Sequence, residues 1–181
     1  MRASINFAQK KEFKNHFDQE KRYLVRADVL KNHQEYWNQL IRICNQNLIY
    51  ESLFRSSLKG RRYTESNAKE FLSWACLGWE NKTHFVFFVL DDTSSIVGAI
   101  DIKSSNLKNA EIGYWADSRE PGNITNALIT ILNEAELNGF EKFAAFVKVD
   151  NLNSSRVLKR ADFKQNNKTQ KEGYLQFEKS V

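Results

Sequence analysis

One junction in this chain of 181 residues has the makings of an anion site. Arg119-Glu120-Pro121-Gly122-Asn123-Ile124 follows a β-rich run directly and feeds the start of the clearest amphipathic helix. A helix start presents backbone N–H groups without partners and the positive end of the helix dipole, a setting that suits phosphate. Gly122 lets the backbone approach a ligand closely, whereas Pro121 removes one donor and stiffens the turn. Other chemistries lack their signatures: the sequence holds no GxSxG elbow, GxxxxGK loop, GxGxxG turn or HExxH pair. Cys44 and Cys76 have no CxxC spacing, and His16, His33 and His84 are scattered. Neither a disulfide framework nor a metal site is therefore expected.

Lysines and arginines outnumber acidic residues by 27 to 22, a net charge of +5. The excess suits anionic partners, including phosphorylated cofactors and nucleic acid, without selecting one. Two segments carry much of it. Lys10 to Arg22, with Phe13 and Phe17 interleaved, reads either as a basic amphipathic helix for RNA or membrane, or as a half-docked helix with a solvated face. Arg55, Lys59, Arg61 and Arg62 surround Gly60 in a basic loop, which is either a contact for an anion or simply solvated.

The length suits one compact domain over 1–181, with 1–22 as a basic N-terminal extension. The apolar share of 41% is enough for a buried core. Phe85 to Leu90, the longest apolar run, is too short to span a bilayer, and Arg2 to Lys14 is too polar for a signal peptide. A cytoplasmic protein without membrane attachment is expected.

The elements that must position the junction follow from periodicity. Tyr23 to Val29 reads as a short strand entering a helix, which continues through Tyr36, Trp37, Leu40, Ile41, Cys44 and Leu48. That spacing buries Cys44 as a core thiol. Asn67 followed by Glu70 resembles a helix start with Asn67 as cap. Thr83 to Leu90, Ser95 to Lys103 and Ala110 to Trp115 are three strands joined by polar turns, an antiparallel meander. Ile124 to Ala135 is a helix that ends at Asn138-Gly139. Lys142 to Val149 is a strand, a short helix begins near Asn151, and Phe163 to Lys179 forms two strands around Lys171 to Gly173. The order predicts a mixed α/β (α+β) fold.

From Ile96 to Phe163 the sequence resembles the GCN5-related N-acetyltransferase family, and within it the ribosomal-protein N-terminal acetyltransferase branch. Ile96-Val97-Gly98-Ala99-Ile100 is similar to the family's third strand and Ala110-Glu111-Ile112-Gly113-Tyr114-Trp115 to the fourth. Arg119-x-x-Gly122 matches the first part of the Q/R-x-x-G-x-G/A loop, and Thr125, Ala127 and Leu128 continue the branch pattern. Asn151-x-x-Ser154-x-Arg156-Val157-Leu158 and Phe163 match its later segment. Ile124 replaces the loop's last Gly or Ala, Asn126 replaces Glu, and Asp162 replaces the Gly before Phe163; Asp tolerates the backbone angles such a turn requires.

The resemblance implies a central, mostly antiparallel twisted sheet splayed between its fourth and fifth strands, with flanking helices. It also implies transfer of an acetyl group from acetyl-CoA to an amine, without a metal. Arg119, Glu120, Pro121, Gly122, Asn123, Ile124 and Thr125 would then hold the pyrophosphate. Trp115, Ala116 and Asp117 would pair with the pantetheine arm, Asn151 would touch it from the other side, and an N–H near Trp115 or Ala116 would meet the developing oxyanion.

An α-amine has a pKa of about 8 and must lose a proton before attack. Glu111 is the first candidate base, the alternative being a strand carboxylate paired with a basic neighbour, and Asp101 and His84 stand in reserve. Leu158 stands where many family members carry a tyrosine, so Ser154 becomes the proton donor to the leaving thiolate or, alternatively, a helix cap. Arg156, Lys159 and Arg160 either meet the adenosine 3′-phosphate or form a solvated helix face.

The acceptor implied is a protein N terminus or another primary amine. A weakened module that binds CoA or RNA, or an enzyme for a small-molecule or aminoacyl-tRNA amine, is the competing reading. A homodimer is compatible with the branch. Nucleic acid as a partner has no motif behind it.

Overall fold

A computed structural model describes residues 5–30, 34–166 and 172–181. In chain order the elements are β1 (Lys10–Lys14), β2 (Lys21–Arg26), a 3-10 turn (Ala27–Val29), α1 (Gln34–Cys44), α2 (Asn47–Ile49) running into a π turn (Tyr50–Phe54), and α3 (Glu65–Asn81). Then come β3 (Phe85–Leu90), β4 (Ile96–Ile102), β5 (Ala110–Ala116), α4 (Asn123–Leu137), β6 (Lys142–Lys148), α5 (Leu152–Arg160), β7 (Lys164–Asn166) and β8 (Tyr174–Ser180).

The strands form one sheet in the order β1-β2-β3-β4-β5-β6-β8-β7. Every neighbouring pair is antiparallel except β5 with β6. The mixed architecture and the meander of β3, β4 and β5 agree with the sequence reading. β3 is buried along its whole length, which is why it reads as an unbroken apolar run.

Side chains alternate between the two faces of the sheet. Phe87, Ile100 and Tyr114 stand side by side on the face that α4 covers, where Ile124 lies beside Gly98. Val86, Asp101 and Gly113 share the opposite face, the one toward α3, where Phe88 meets Phe71 edge-on. Cys44 is buried at the end of α1, and its burial pushes the thiol up to about 12, so it is a core thiol.

Two sequence readings are corrected. Lys10 to Arg22 is not a helix: it holds β1, a turn and the start of β2, paired from Lys10 with Val25 to Lys14 with Lys21. Only Phe13 of β1 is buried, so a solvated edge strand with phenylalanines four apart imitates a helix face. Asn67 is not the cap of α3. Thr64 takes that position, and Asn67 returns the bond three residues later, its Oδ1 accepting from the Thr64 N–H at 2.9 Å. The turn before Phe163 does take the unusual angle its sequence requires, with Asp162 at φ 66°. Lys171, one end of the expected final turn, lies outside the described residues.

Candidate active site

Pairing between β5 and β6 is confined to Ala110 with Phe143 and Glu111 with Ala144. Beyond that point the two strands diverge, and the opening lies directly above the start of α4. On its other side β5 stays bonded to β4, the Lys103 N–H to Glu111 O and the Asp117 N–H to Val97 O. Ladder bonds alternate along an antiparallel strand, so the N–H and C=O groups of Ile112, Tyr114 and Ala116 turn toward the opening. The N–H of Asp117 is taken by Val97. Of the three residues expected along the pantetheine arm, Ala116 therefore offers backbone groups to the opening, and Tyr114 joins it.

Gly122 is the N-cap of α4 at φ 89°. A cap without a side chain, followed by a first turn without an acidic residue, leaves the N–H groups at the start of α4 available to an anion. A Cβ on Gly122 would run into the Asn15 side chain, and φ itself favours glycine there. A Cβ on Gly98 would come within 2.9 Å of Trp115 O, so that glycine keeps β4 close to β5 beside the opening. An open strand edge for amide groups beside an uncapped helix start for phosphates fits an elongated cofactor with a pyrophosphate. Among the described residues no group of three or more His, Cys, Asp or Glu could hold a metal ion.

Beneath the loop lie two polar clusters that the sequence did not reveal. Asp117 is buried and accepts from Arg42 Nη1 and Gln46 Nε2, both at 2.6 Å, as well as from the backbone N–H, Nε and Nη2 of Arg119. Arg119 thus folds back onto Asp117. Asn123 is equally committed: its Oδ1 accepts from Asn15 Nδ2 at 2.8 Å and from Arg22 Nε at 3.1 Å, and its Nδ2 donates to Glu120 O. Pro121 O accepts from Asn15, Glu120 lies 4.0 Å from Arg22, and Ile124 and Thr125 are buried in the first turn of α4. The partners on α1, at the cap of α2, in the β1–β2 turn and on β2 are 71 to 108 residues away in sequence, beyond any local pattern.

The residues expected to move protons divide between the faces. Glu111, Gly113 and Trp115 point to the α3 side of β5 together with Asp101. Glu111 is partly exposed and ion-paired with Lys103. Gly113 makes room for Asp101, whose Oδ1 would lie 2.8 Å from a Cβ at that position. Burial pushes the Asp101 carboxyl above its ordinary value, against the pull of Lys103. His84 has both ring nitrogens engaged, with Thr83 Oγ1 and Trp74 O at 3.0 Å each, and stacks on Trp74.

On the α4 side, Tyr114 Oη donates to Ser154 O at 2.9 Å. Burial raises the pKa of this phenol, so it stays protonated. The cap of α5 is Asn151, whose Oδ1 accepts from the Ser154 N–H at 3.1 Å. Ser154 is therefore not the cap, and its hydroxyl makes no hydrogen bond among the described residues.

Residues 30–164 match the acetyltransferase (GNAT) domain family. No curated protein matches the sequence. Among solved structures, RimJ of Mycobacterium smegmatis in complex with CoA-disulfide is similar at 17% identity and TM-score 0.74, covering 95% of this chain and 87% of its own. RimL, a ribosomal L7/L12 α-N-protein acetyltransferase in complex with coenzyme A, gives 16%, 0.71, 87% and 94% in the same order. The microcin C7 self-immunity acetyltransferase MccE, in complex with acetyl-CoA and AMP, gives 20%, 0.70, 87% and 92%. At these identities the likeness is one of fold.

Proposed function

Because the chain belongs to the acetyltransferase (GNAT) domain family and is thereby an acetyl-CoA-dependent acyltransferase, we propose that its acceptor is a primary amine, in the first place the α-amine of a protein N terminus. The observation that carries this reading is the opening between β5 and β6 set above the uncapped start of α4. The likeness to RimL and RimJ supports the choice of acceptor.

Bound acetyl-CoA supplies an acetyl group activated as a thioester. In this reading the N–H groups at the start of α4 bind the pyrophosphate. Backbone groups of Tyr114 and Ala116 pair with the pantetheine amides as a neighbouring strand would. Asn151 holds the first turn of α5 in place, so that Ser154 faces the arm.

The acceptor enters from the α3 face, where Glu111 stands. Its carboxylate takes the proton from the amine nitrogen, with Lys103 fixing its orientation and Asp101 as the alternative base. Ser154 Oγ gives a proton to the departing sulfur and regains one from water.

A second acceptor is favoured by one contact. Lys148, at the end of β6, donates to Glu51 O at 3.2 Å and ties the turn carrying Arg55 and Lys59 to the open end of the splay. Cations there suit an amine attached to a phosphate-bearing molecule, such as an aminoacyl-tRNA.

The deciding experiment incubates the protein with acetyl-CoA and, separately, N-terminal peptides and aminoacyl-tRNA, and locates the added acetyl group by mass spectrometry. Acetylation at the peptide α-amine is expected. In the same assay Glu111→Gln should lower turnover about 100-fold while acetyl-CoA binding stays near the parent value. Transfer to neither acceptor class would overturn the reading, and full turnover in Glu111→Gln would remove that residue from it.

A further inference from the structure

Lys103 follows the last residue of β4 and lies directly opposite Glu111 of β5, its N–H donating to Glu111 O at 2.8 Å. Opposed residues of neighbouring strands send their side chains to the same face, here the face toward α3. Lys103 Nζ is bonded to Glu111 Oε1. Its side chain leans along β5, away from the two residues that pair with β6. A Cβ on Gly113 would fall 3.0 Å from Lys103 Cε and 3.4 Å from its Nζ, and 2.8 Å from Asp101 Oδ1. A primary amine of this chain thus rests on one of the two carboxylates that serve as candidate bases, and beside the other. Beneath it is a residue with no side chain to screen it, and the flanking Ile112 and Tyr114 turn their backbone groups into the opening. The Lys103 and Glu111 side chains are 46% and 40% exposed, so both are free to move.

Pairing with a carboxylate does not by itself set Lys103 apart. Lys108 is paired with Glu141 and Lys164 with Asp162, and both lysines are more exposed, at 77% and 82%. Lys108, however, lies in the β4–β5 loop, and Lys164 opens β7 at the far edge of the sheet. What distinguishes Lys103 is its place beside the opening.

We propose that the protein acetylates its own Lys103 by transfer within one chain. The proposal rests on the reading above in taking Glu111 as the base. The Lys103 ammonium gives one proton to Glu111, which passes it to water, and the neutral Nζ attacks the carbonyl carbon of the thioester. A C–N bond forms and the C–S bond breaks with its electron pair on sulfur. Nζ loses its second proton as the amide forms, and the sulfur leaves as a thiol with a proton from Ser154 Oγ, which regains one from water. The products are Nε-acetyllysine, CoA and one released proton. Acetylation removes the cation from Glu111, so the entrance becomes more acidic toward an incoming ammonium.

The test incubates the whole protein with acetyl-CoA carrying a deuterated acetyl group and follows the label at each lysine by peptide mass spectrometry, with an N-terminal peptide offered in parallel. Lys103 should gain label at least about tenfold faster than Lys108 and Lys164, a gain that proximity readily supplies. Because amine and site share one chain, diluting the protein about tenfold should leave that rate unchanged. Glu111→Gln should bring Lys103 down to the rate of Lys108. In Lys103→Arg, which keeps a cation on Glu111, the fast gain of a single acetyl in the intact mass should vanish. Equal labelling of the three lysines, or a Lys103 rate that falls with dilution, would overturn the proposal. A peptide acetylated while Lys103 stays unlabelled would overturn it and leave the peptide acceptor standing. Fast label on Lys103 with no peptide acetylated would support it and overturn the peptide acceptor, and label on neither would overturn both.

Discussion

Tyr114 and Ser154 face each other across the opening in the sheet, the phenol of one donating at 2.9 Å to the carbonyl of the other. The bond links the free edge of β5 to the first turn of α5. Two walls whose strands are paired through only two residue pairs are thereby held at a fixed spacing. Removing the hydroxyl leaves Ser154 O its helical partner, so the loss is that of one ordinary hydrogen bond. Tyr114→Phe is expected to lower stability by about 1 kcal/mol in urea unfolding. An unchanged midpoint would mean that the bond is not formed in solution.

Asp117 is the counter-charge for two guanidinium groups that are themselves partly solvated. Asp117→Ala should cost about 3 kcal/mol, at the lower end for a broken buried pair, because Arg42 and Arg119 can regain water. Asp117→Asn, which keeps an acceptor for the Arg119 N–H, should lose less. Thermal melts of the two variants side by side check the order.

Gly98 lies against a backbone oxygen, which cannot swing aside as a side chain could. Gly98→Ala is expected to destabilise by about 1–3 kcal/mol and to displace β5 where its free edge begins. Denaturant unfolding gives the first number. A reduced thermal shift with saturating acetyl-CoA reports the second.

Asp101 gives a pH dependence of definite sign. Its folded-state pKa is raised by burial, so the stability it contributes is full below the unfolded carboxylate range and is lost as pH rises through the folded value. Asp101→Asn should therefore gain stability relative to the parent between about pH 4 and pH 7. Urea titrations at both ends read the difference, and a gap that shrinks toward neutrality would contradict the burial of the charge.

The parts of the fold legible in the sequence are those whose burial is decided locally. The unbroken apolar run of β3 and the stripe of Ile124, Ala127, Leu128 and Ile131 on α4 needed no partner to be recognised. The Gly122 loop was legible because a glycine before a helix after a strand has a local reason to be there. β1 was not: with only Phe13 buried, it is a strand because β2 pairs with it. Asp117 reads as a neighbour of the pantetheine arm, and its burial had no local signal, since Arg42 of α1 and Gln46 at the cap of α2 supply it from more than 70 residues away. The alternative reading of Ser154 as a cap falls three residues past the true cap, because Asn and Ser are both good caps and the sequence does not say that it is Asn151 that accepts the bond.

The contact of Asn15 with Pro121 and Asn123 joins groups 106 and 108 residues apart in the chain. During synthesis the β1–β2 hairpin emerges long before the loop it will clasp, and a lone hairpin has little stability in water. Bringing such distant segments together carries a closure entropy, and folds rich in these contacts form slowly. The cofactor loop is therefore completed late, after the helices have formed. On refolding, the ability to bind CoA should return more slowly than the far-ultraviolet circular dichroism signal.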